Sequence, residues 1–257
     1  MVKRAGIASA DTVLEIGPGG GFLTKALLAA DCAHLDAVEI DTRLRPDLEA
    51  IAATDSRLAL HWADAVQFDY GTLASPPDKV VANLPYHITT PILWRLLESF
   101  SGRGTDYYLL MVQKEAADRI VSGAGVRESN PLGITLAAMG SATVGRKVPR
   151  GAFTPMPRVD SAIVEIRLSG DNVHLPRDRA WRRLLQGSFA QRRKTLINNW
   201  SAAFGVSKAA TTETLAAHAL PPLSRPEELR LESWLALAMD HEVARWTGAP
   251  DCHARHP

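Results

Sequence analysis

The chain has 257 residues, 46% of them apolar and 22% charged, with 29 basic and 28 acidic side chains. That length accommodates one large α/β domain and a smaller appendage, and the composition is that of a globular chain rather than a disordered or collagenous one. No apolar run approaches ~18 residues, which excludes a membrane-spanning helix, and the first residues, Met1 to Gly6, lack the apolar core of a signal peptide.

Cys32 and Cys252 lie far apart and form no metal-spacing pair, so no metal is expected, and the usage suits a reducing cytoplasm. The net charge of +1 conceals an asymmetry. Residues 146–199 carry 12 basic against 4 acidic side chains, while the flanking stretches are both acidic overall. Such a local excess points to a polyanionic partner for the middle of the chain, against the simpler reading of a solvated basic face.

In chain order, residues 11–16 read as a first strand running into Gly17, Pro18, Gly19, Gly20 and Gly21, and residues 22–30 have helical spacing. A glycine-rich turn between strand and helix lets backbone approach a ligand closely. Phe22 occupies the third glycine position of the dinucleotide fingerprint, so a nucleoside without phosphates fits better than a pyrophosphate. Residues 34–40 form a second strand ending at Glu39, placed to accept from both hydroxyls of a ribose. Asp41 reads as the cap of a helix over residues 44–53. A third strand, residues 57–62, ends near Asp64, an acceptor suited to an adenine amino group.

The short β-branched run 79–82 is a fourth strand, and it leads into Asn83, Leu84, Pro85 and Tyr86 before helical spacing resumes at Ile92. The exocyclic amine of a nucleobase is a poor nucleophile because its lone pair is delocalised into the ring. Two acceptors taking both of its protons draw the nitrogen toward tetrahedral geometry. Asn83 offers a side-chain carbonyl and Leu84 a backbone carbonyl beside a rigid proline, while Tyr86 offers a face for an unstacked base. An isolated motif of this kind is as readily a proline turn with a buried tyrosine. Glycine turn, Glu39, Asp64 and Asn83 at four strand ends are a much less common coincidence.

A fifth strand spans residues 107–113, followed by a helix over 114–121, a flexible loop over 122–130, a helix over 132–139 and strands over 142–148 and 162–168. The proline-rich stretch after Phe153 is rigid and extended, able to present Phe153 as a second face for the base. Beyond Pro176 only helical patterns remain. Trp181, Leu184, Leu185, Phe189, Leu196 and Trp200 trace an apolar helical stripe, and Arg182, Arg183, Arg192, Arg193 and Lys194 share that segment as candidate phosphate contacts. Shorter helices follow at 208–219 and 226–240. The expected organisation is a domain over residues 1–170, a helical nucleic-acid-binding domain over 171–245 and a disordered tail over 246–257.

The strings VLEIGPGGG, AVEID, ADA, ANLPYHITTPIL, MVQKE, FTPMPRVDSAIV and FAQRRKT, in this order and spacing, resemble the ribosomal RNA adenine dimethyltransferases, the family of bacterial KsgA. The resemblance runs from about residue 11 to 200 and more weakly to 240. It implies a Rossmann-like class I S-adenosylmethionine-dependent methyltransferase sheet with a small all-helical C-terminal domain. It also implies transfer of methyl groups to the N6 amines of two adjacent adenines in the 3′-terminal hairpin of small-subunit rRNA. Gly17, Gly19, Glu39, Asp64 and Asn83 would hold the cofactor, Asn83 and Leu84 polarise the amine, and Tyr86 and Phe153 stack the base. The partner would be the immature small ribosomal subunit, met by a monomer in the cytoplasm. His87 stands where the family commonly has Asn, and Asn130 to Gly133 replace a usual Tyr-Gly step. The family's usual opening, a basic segment and a Gln-Asn-Phe-Leu element covering the cofactor, is not in this sequence, which implies a less covered pocket. Two rivals stay open: an Erm-like enzyme acting on large-subunit rRNA, and a ribosome-assembly RNA-binding factor with impaired catalysis.

Overall fold

The computed structural model describes residues 1–84, 88–152, 157–169 and 172–248. The chain divides into two compact units, one of 1–118 with 140–169 and the other of 119–139 with 170–257.

The first unit is a seven-stranded sheet. A short helix α1 (Val2–Ala5) precedes β1 (Thr12–Ile16), and α2 (Phe22–Ala29), β2 (His34–Glu39), α3 (Arg45–Ala52) and β3 (Leu58–Trp62) follow. Then come β4 (Lys79–Asn83), α4 (Thr89–Phe100), β5 (Tyr107–Gln113) and α5 (Lys114–Ile120). After α6 (Pro131–Met139), which belongs to the other unit, β6 (Gly140–Val148) and β7 (Ser161–Leu168) complete the sheet. The strand order is β3-β2-β1-β4-β5-β7-β6, with β1 to β5 parallel and β7 antiparallel to both of its neighbours. The chain winds outward from β1 to β3 and then restarts at β4 on the other side of β1. The carboxyl ends of β1 and β4 therefore flank the point where the order reverses, the place where open α/β sheets bind ligands.

Val13, Leu35, Ala37, Val81 and Leu109 of the strands and Leu27, Leu28, Leu48 and Ile51 of α2 and α3 form one core cluster on one face of the sheet. The alternating residues Leu14, Val80, Ala82, Tyr108 and Leu110 are equally buried, so the opposite face is covered as well. Strands buried on both faces explain why they read as near-continuous apolar runs. The expected cap at Asp41 serves a 3₁₀ turn: its Oδ1 accepts from the Arg43 backbone N–H at 3.0 Å, and Pro46 in the first turn of α3 starts the helix proper.

The second unit comprises α6, α7 (Arg179–Ser188), α8 (Leu196–Phe204), α9 (Lys208–Ala217), α10 (Leu231–Ala238) and α11 (His241–Thr247). Its core is built on Trp181, Trp200 and Trp234, all essentially inaccessible. Trp181 donates its indole N–H to Thr135 Oγ1 at 2.8 Å, and Trp200 donates to Ser188 Oγ at 2.7 Å.

Three expectations are corrected here. The segment 119–139, expected within the first domain, clusters with the helical unit, because α6 buries Ile134 in the tryptophan core and bonds Trp181 through Thr135. The single helix expected over 226–240 is a 3₁₀ turn followed by α10, and Asp240 caps the further helix α11 by accepting from Glu242 and Val243 backbone N–H at 2.8 and 3.1 Å. Trp246 and Thr247, expected in a disordered tail, belong to α11, with the Trp246 ring 5.9 Å from that of Trp200. The rest of that tail, from Ala249, lies outside the described residues.

Candidate active site

Because β3, β2, β1 and β4 are consecutive neighbours, their carboxyl ends stand in one row. Gly17 leaves β1 with φ +68° and donates its N–H to Val38 O at 2.9 Å. Gly19 (φ +56°) and Gly21 (φ +76°) also occupy the left-handed region, which a side chain would penalise. These angles turn the backbone N–H of Gly19 toward the tip of β2, where it donates to Glu39 Oε2 at 3.1 Å.

Glu39 is buried at that tip and holds more than was expected of it. Its Oε1 accepts from the backbone N–H groups of Ile40 and Asp41 at 2.9 and 2.8 Å. With Gly19 on Oε2, three of about four lone-pair positions are filled, leaving one for a ligand hydroxyl. Glu39 thus clamps the glycine turn as well as offering an acceptor. Beside it Ile40 is 67% exposed, an apolar side chain left open at a strand tip. At the next tip Asp64 Oδ1 accepts from Val66 N–H at 2.9 Å, whereas Oδ2 has no partner among the described residues. Both readings of Asp64, turn cap and ligand acceptor, are therefore compatible with one carboxylate. A carboxylate, an exposed apolar side chain and a second carboxylate in sequence along the strand ends fit an adenosine: ribose hydroxyl, ring face and amine.

Asn83 is the last residue of β4, pairs with Met111 of β5, and is exposed. β1 and β4 are in register at Val13 with Lys79 and Leu14 with Val80, so continuing the pairing puts Gly17 opposite Asn83. The Asn83 side chain makes no hydrogen bond to another described residue. Leu84, by contrast, is fixed, with a buried side chain and an N–H that donates to Met111 O at 3.0 Å. Its backbone position is thereby set by the strand pairing. Tyr86 and Phe153, expected to stack the base, lie outside the described residues.

One residue was missed by sequence reading. Glu15, on β1 just before the glycine turn, is 1% exposed and accepts from Thr24 Oγ1 at 2.7 Å through Oε2, while its Oε1 has no partner among the described residues. Burial pushes its carboxyl up to about 7, with the Thr24 bond opposing and the nearby Glu39 charge adding to the rise. The available signal was an acid inside an otherwise apolar strand, Val13 to Ile16.

The basic candidates divide. Arg182 and Arg183 are on α7, and Arg183 stacks on the Phe204 ring with 5.9 Å between guanidinium and centroid. Arg192, Arg193 and Lys194 are not on a helix, as the stripe had implied, but on the exposed turn between α7 and α8. That turn is pinned from beneath by buried Asn199, whose Nδ2 donates to Ser188 O at 2.6 Å and Gln191 O at 3.2 Å. Arg192 also donates to Arg127 O at 2.8 Å.

Comparison with known proteins agrees with this arrangement. Residues 1–238 match the family described as ribosomal RNA adenine dimethylase. A ribosomal RNA small subunit methyltransferase A from Rubrobacter xylanophilus is 38% identical over 237 residues, covering 92% of this chain and 87% of that protein. Among solved structures, a dimethyladenosine transferase from Plasmodium falciparum superposes with TM-score 0.75 at 26% identity, over 96% of this chain and 94% of that one. The 23S rRNA methyltransferase ErmE shares the fold, with TM-score 0.66 at 22% identity over 92% and 93% of the two chains. With the family matched along nearly its whole length and the strand-end row in place, the chain belongs to the ribosomal RNA adenine dimethylase family.

Proposed function

We propose that this chain transfers methyl groups from S-adenosylmethionine to the N6 amines of two adjacent adenines in the 3′-terminal hairpin of small-subunit rRNA. The observation that carries this reading is Asn83: an exposed amide, uncommitted among the described residues, at the end of β4, one strand across from the glycine turn. Family membership and the name of the Rubrobacter relative support the choice of the small subunit. The immature subunit is then the partner, met by a single copy of the chain in the cytoplasm.

When bound, S-adenosylmethionine supplies a methyl group on a positively charged sulfur. Glu39 and Asp64 hold the nucleoside end and Ile40 backs its ring. Asn83 accepts one N–H of the adenine amine through its side-chain carbonyl, and Leu84 accepts the other through its main-chain carbonyl, anchored by the bond to Met111. Tyr86 and Phe153 keep the base out of its stack. Held by Asn83 and Leu84, the amine lone pair would face the methyl carbon; the S–C bond would break as the N–C bond formed, S-adenosylhomocysteine would leave, and the extra proton on nitrogen would pass to water. No base of shifted pKa is needed, and the catalytic contribution is positioning and polarisation. Arg182, Arg183, Arg192, Arg193 and Lys194 contact phosphates.

The test is twofold. Calorimetry with S-adenosylmethionine should show binding, and a tritiated-methyl assay should label undermethylated small subunits on N6 of adenine. Label appearing in large subunits instead would favour the Erm-like enzyme. Failure to bind the cofactor would leave a ribosome-assembly RNA-binding factor.

A further inference from the structure

A second feature lies at the same end of the sheet. Gln113 at the end of β5 pairs with Ser161 at the start of β7, and Ser161 pairs with Val148 at the end of β6. Three strands thus terminate at one corner, tied by Asp160. Its carbonyl accepts from Lys114 N–H at 3.0 Å and its Oδ1 accepts from Arg150 N–H at 2.9 Å. The corner forms a cleft of about 420 Å³ lined by Lys114, Glu115, Asp118, Arg150, Arg158 and Asp160. Met111, two residues before Gln113, is the pairing partner of Asn83. The cleft therefore starts roughly 5 Å across and ~7 Å along the sheet from the amide that meets the base.

Lys114, Arg150 and Arg158 each stand clear of the core, and none forms an ion pair with another described residue although three carboxylates share the walls. Elsewhere in this unit basic side chains have structural tasks: Arg4 of α1 and Arg167 of β7 both grip Glu165, at 2.7 and 2.6 Å. The edge strand β6 continues the unpaired set. Its register slips between Val144 and Lys147, and the bulge leaves Arg146 and Lys147 exposed and without ion pairs among the described residues. A bulge and cations on an edge also discourage strand pairing between molecules. That purpose does not account for Lys114, Arg150 and Arg158, which are not on an edge strand.

We propose that this cleft holds the ribose–phosphate backbone of the RNA strand flanking the target adenine. Lys114, Arg150 and Arg158 take its phosphates, and Arg146 and Lys147 carry the strand along the sheet edge. Glu115 and Asp118 on the same walls disfavour a bare multivalent anion and offer acceptors to 2′-hydroxyls, which marks the occupant as RNA. The inference rests on the RNA-methylating reading and adds a contact surface on the sheet unit, distinct from the basic turn between α7 and α8.

Fluorescence anisotropy of the full chain with a labelled small-subunit 3′-hairpin RNA, across a salt series, tests it. Each phosphate that the protein no longer neutralises should flatten the slope of log affinity against log salt by about 0.7 to 0.9. R150A/R158A should flatten it by about one to two, with weaker binding at every salt concentration, unchanged thermal unfolding and unchanged S-adenosylmethionine affinity by calorimetry. R150K/R158K should restore most of the slope, and a 2′-deoxy hairpin should bind wild type more weakly. A wild-type slope in R150A/R158A overturns the cleft while leaving the methyltransferase reading intact, as does a matching loss of cofactor affinity in both double variants. Equal affinity for the deoxy hairpin overturns the ribose recognition. Wild-type chain that binds no RNA sinks the functional reading and the cleft together.

Discussion

Thr24 on α2 donates its hydroxyl to Glu15 on β1 across 2.7 Å, and among the described residues that is the one hydrogen bond made by this buried carboxyl, which lies two residues before the glycine turn in the chain. A protonated Glu15 satisfies this geometry at less cost than a charged one, because Oε1 faces no donor. Its pKa is raised by burial, from 4.5 to about 7. The folded state therefore holds a proton that the unfolded state releases between those values, and stability falls as pH rises through that window. Glu15→Gln should leave stability near pH 4.5 little changed and raise it at pH 8 by about 1–3 kcal/mol. Chemical denaturation at the two pH values measures this, and parallel pH profiles for the two proteins would rule out Glu15 as the source.

Asn83→Ala removes an exposed side chain that bonds to no other described residue. Methyl transfer should drop by on the order of 100-fold or more, the size of effect seen when a preorganised polar group at a reacting centre is lost. Binding of the rRNA hairpin and the unfolding temperature should stay close to wild type. Turnover retained within a few-fold would show that the amine is polarised by something else.

Gly21→Ala forces a side chain onto φ +76° and drives its Cβ against Ile51 Cδ1 of α3. The left-handed penalty alone is ~1–2 kcal/mol, and Ile51 must shift within the core cluster. The expected result is destabilisation of about 1–3 kcal/mol, with weaker cofactor binding by calorimetry because the turn held by Glu39 is displaced. An unaltered melting temperature would mean that the turn tolerates the strain.

Asn199→Ala leaves the buried carbonyl of Ser188 without its donor at 2.6 Å and frees the Arg192 to Lys194 turn. Stability should fall by ~1–3 kcal/mol. RNA affinity should fall too, while S-adenosylmethionine affinity is preserved. If RNA affinity holds despite the reduced stability, the turn keeps its shape without this clamp.

The central strands β1, β2, β4 and β5 were legible because they are short, mostly apolar runs buried on both faces, and the strand reading over 107–113 matches β5 residue for residue. The glycine turn, Glu39, Asp64 and Asn83 were legible because each follows the end of such a run. The helical part was less so. The stripe from Trp181 to Trp200 keeps its apolar rhythm across a break, since both helices face the same tryptophan core, and periodicity alone does not reveal the turn that interrupts them.

Local pattern thus determined which elements form and which polar residues end the parallel strands, because burial and backbone geometry act over a few neighbouring positions. Tertiary structure decided what those residues are bonded to. Only the pairing of β1 with β2 shows Glu39 clamping Gly19, only the burial of β1 raises the Glu15 carboxyl, and only the packing of α6 onto Trp181 assigns 119–139 to the helical unit. Each of these depends on residues distant in the chain meeting where water is excluded, and spacing along the chain does not encode that meeting.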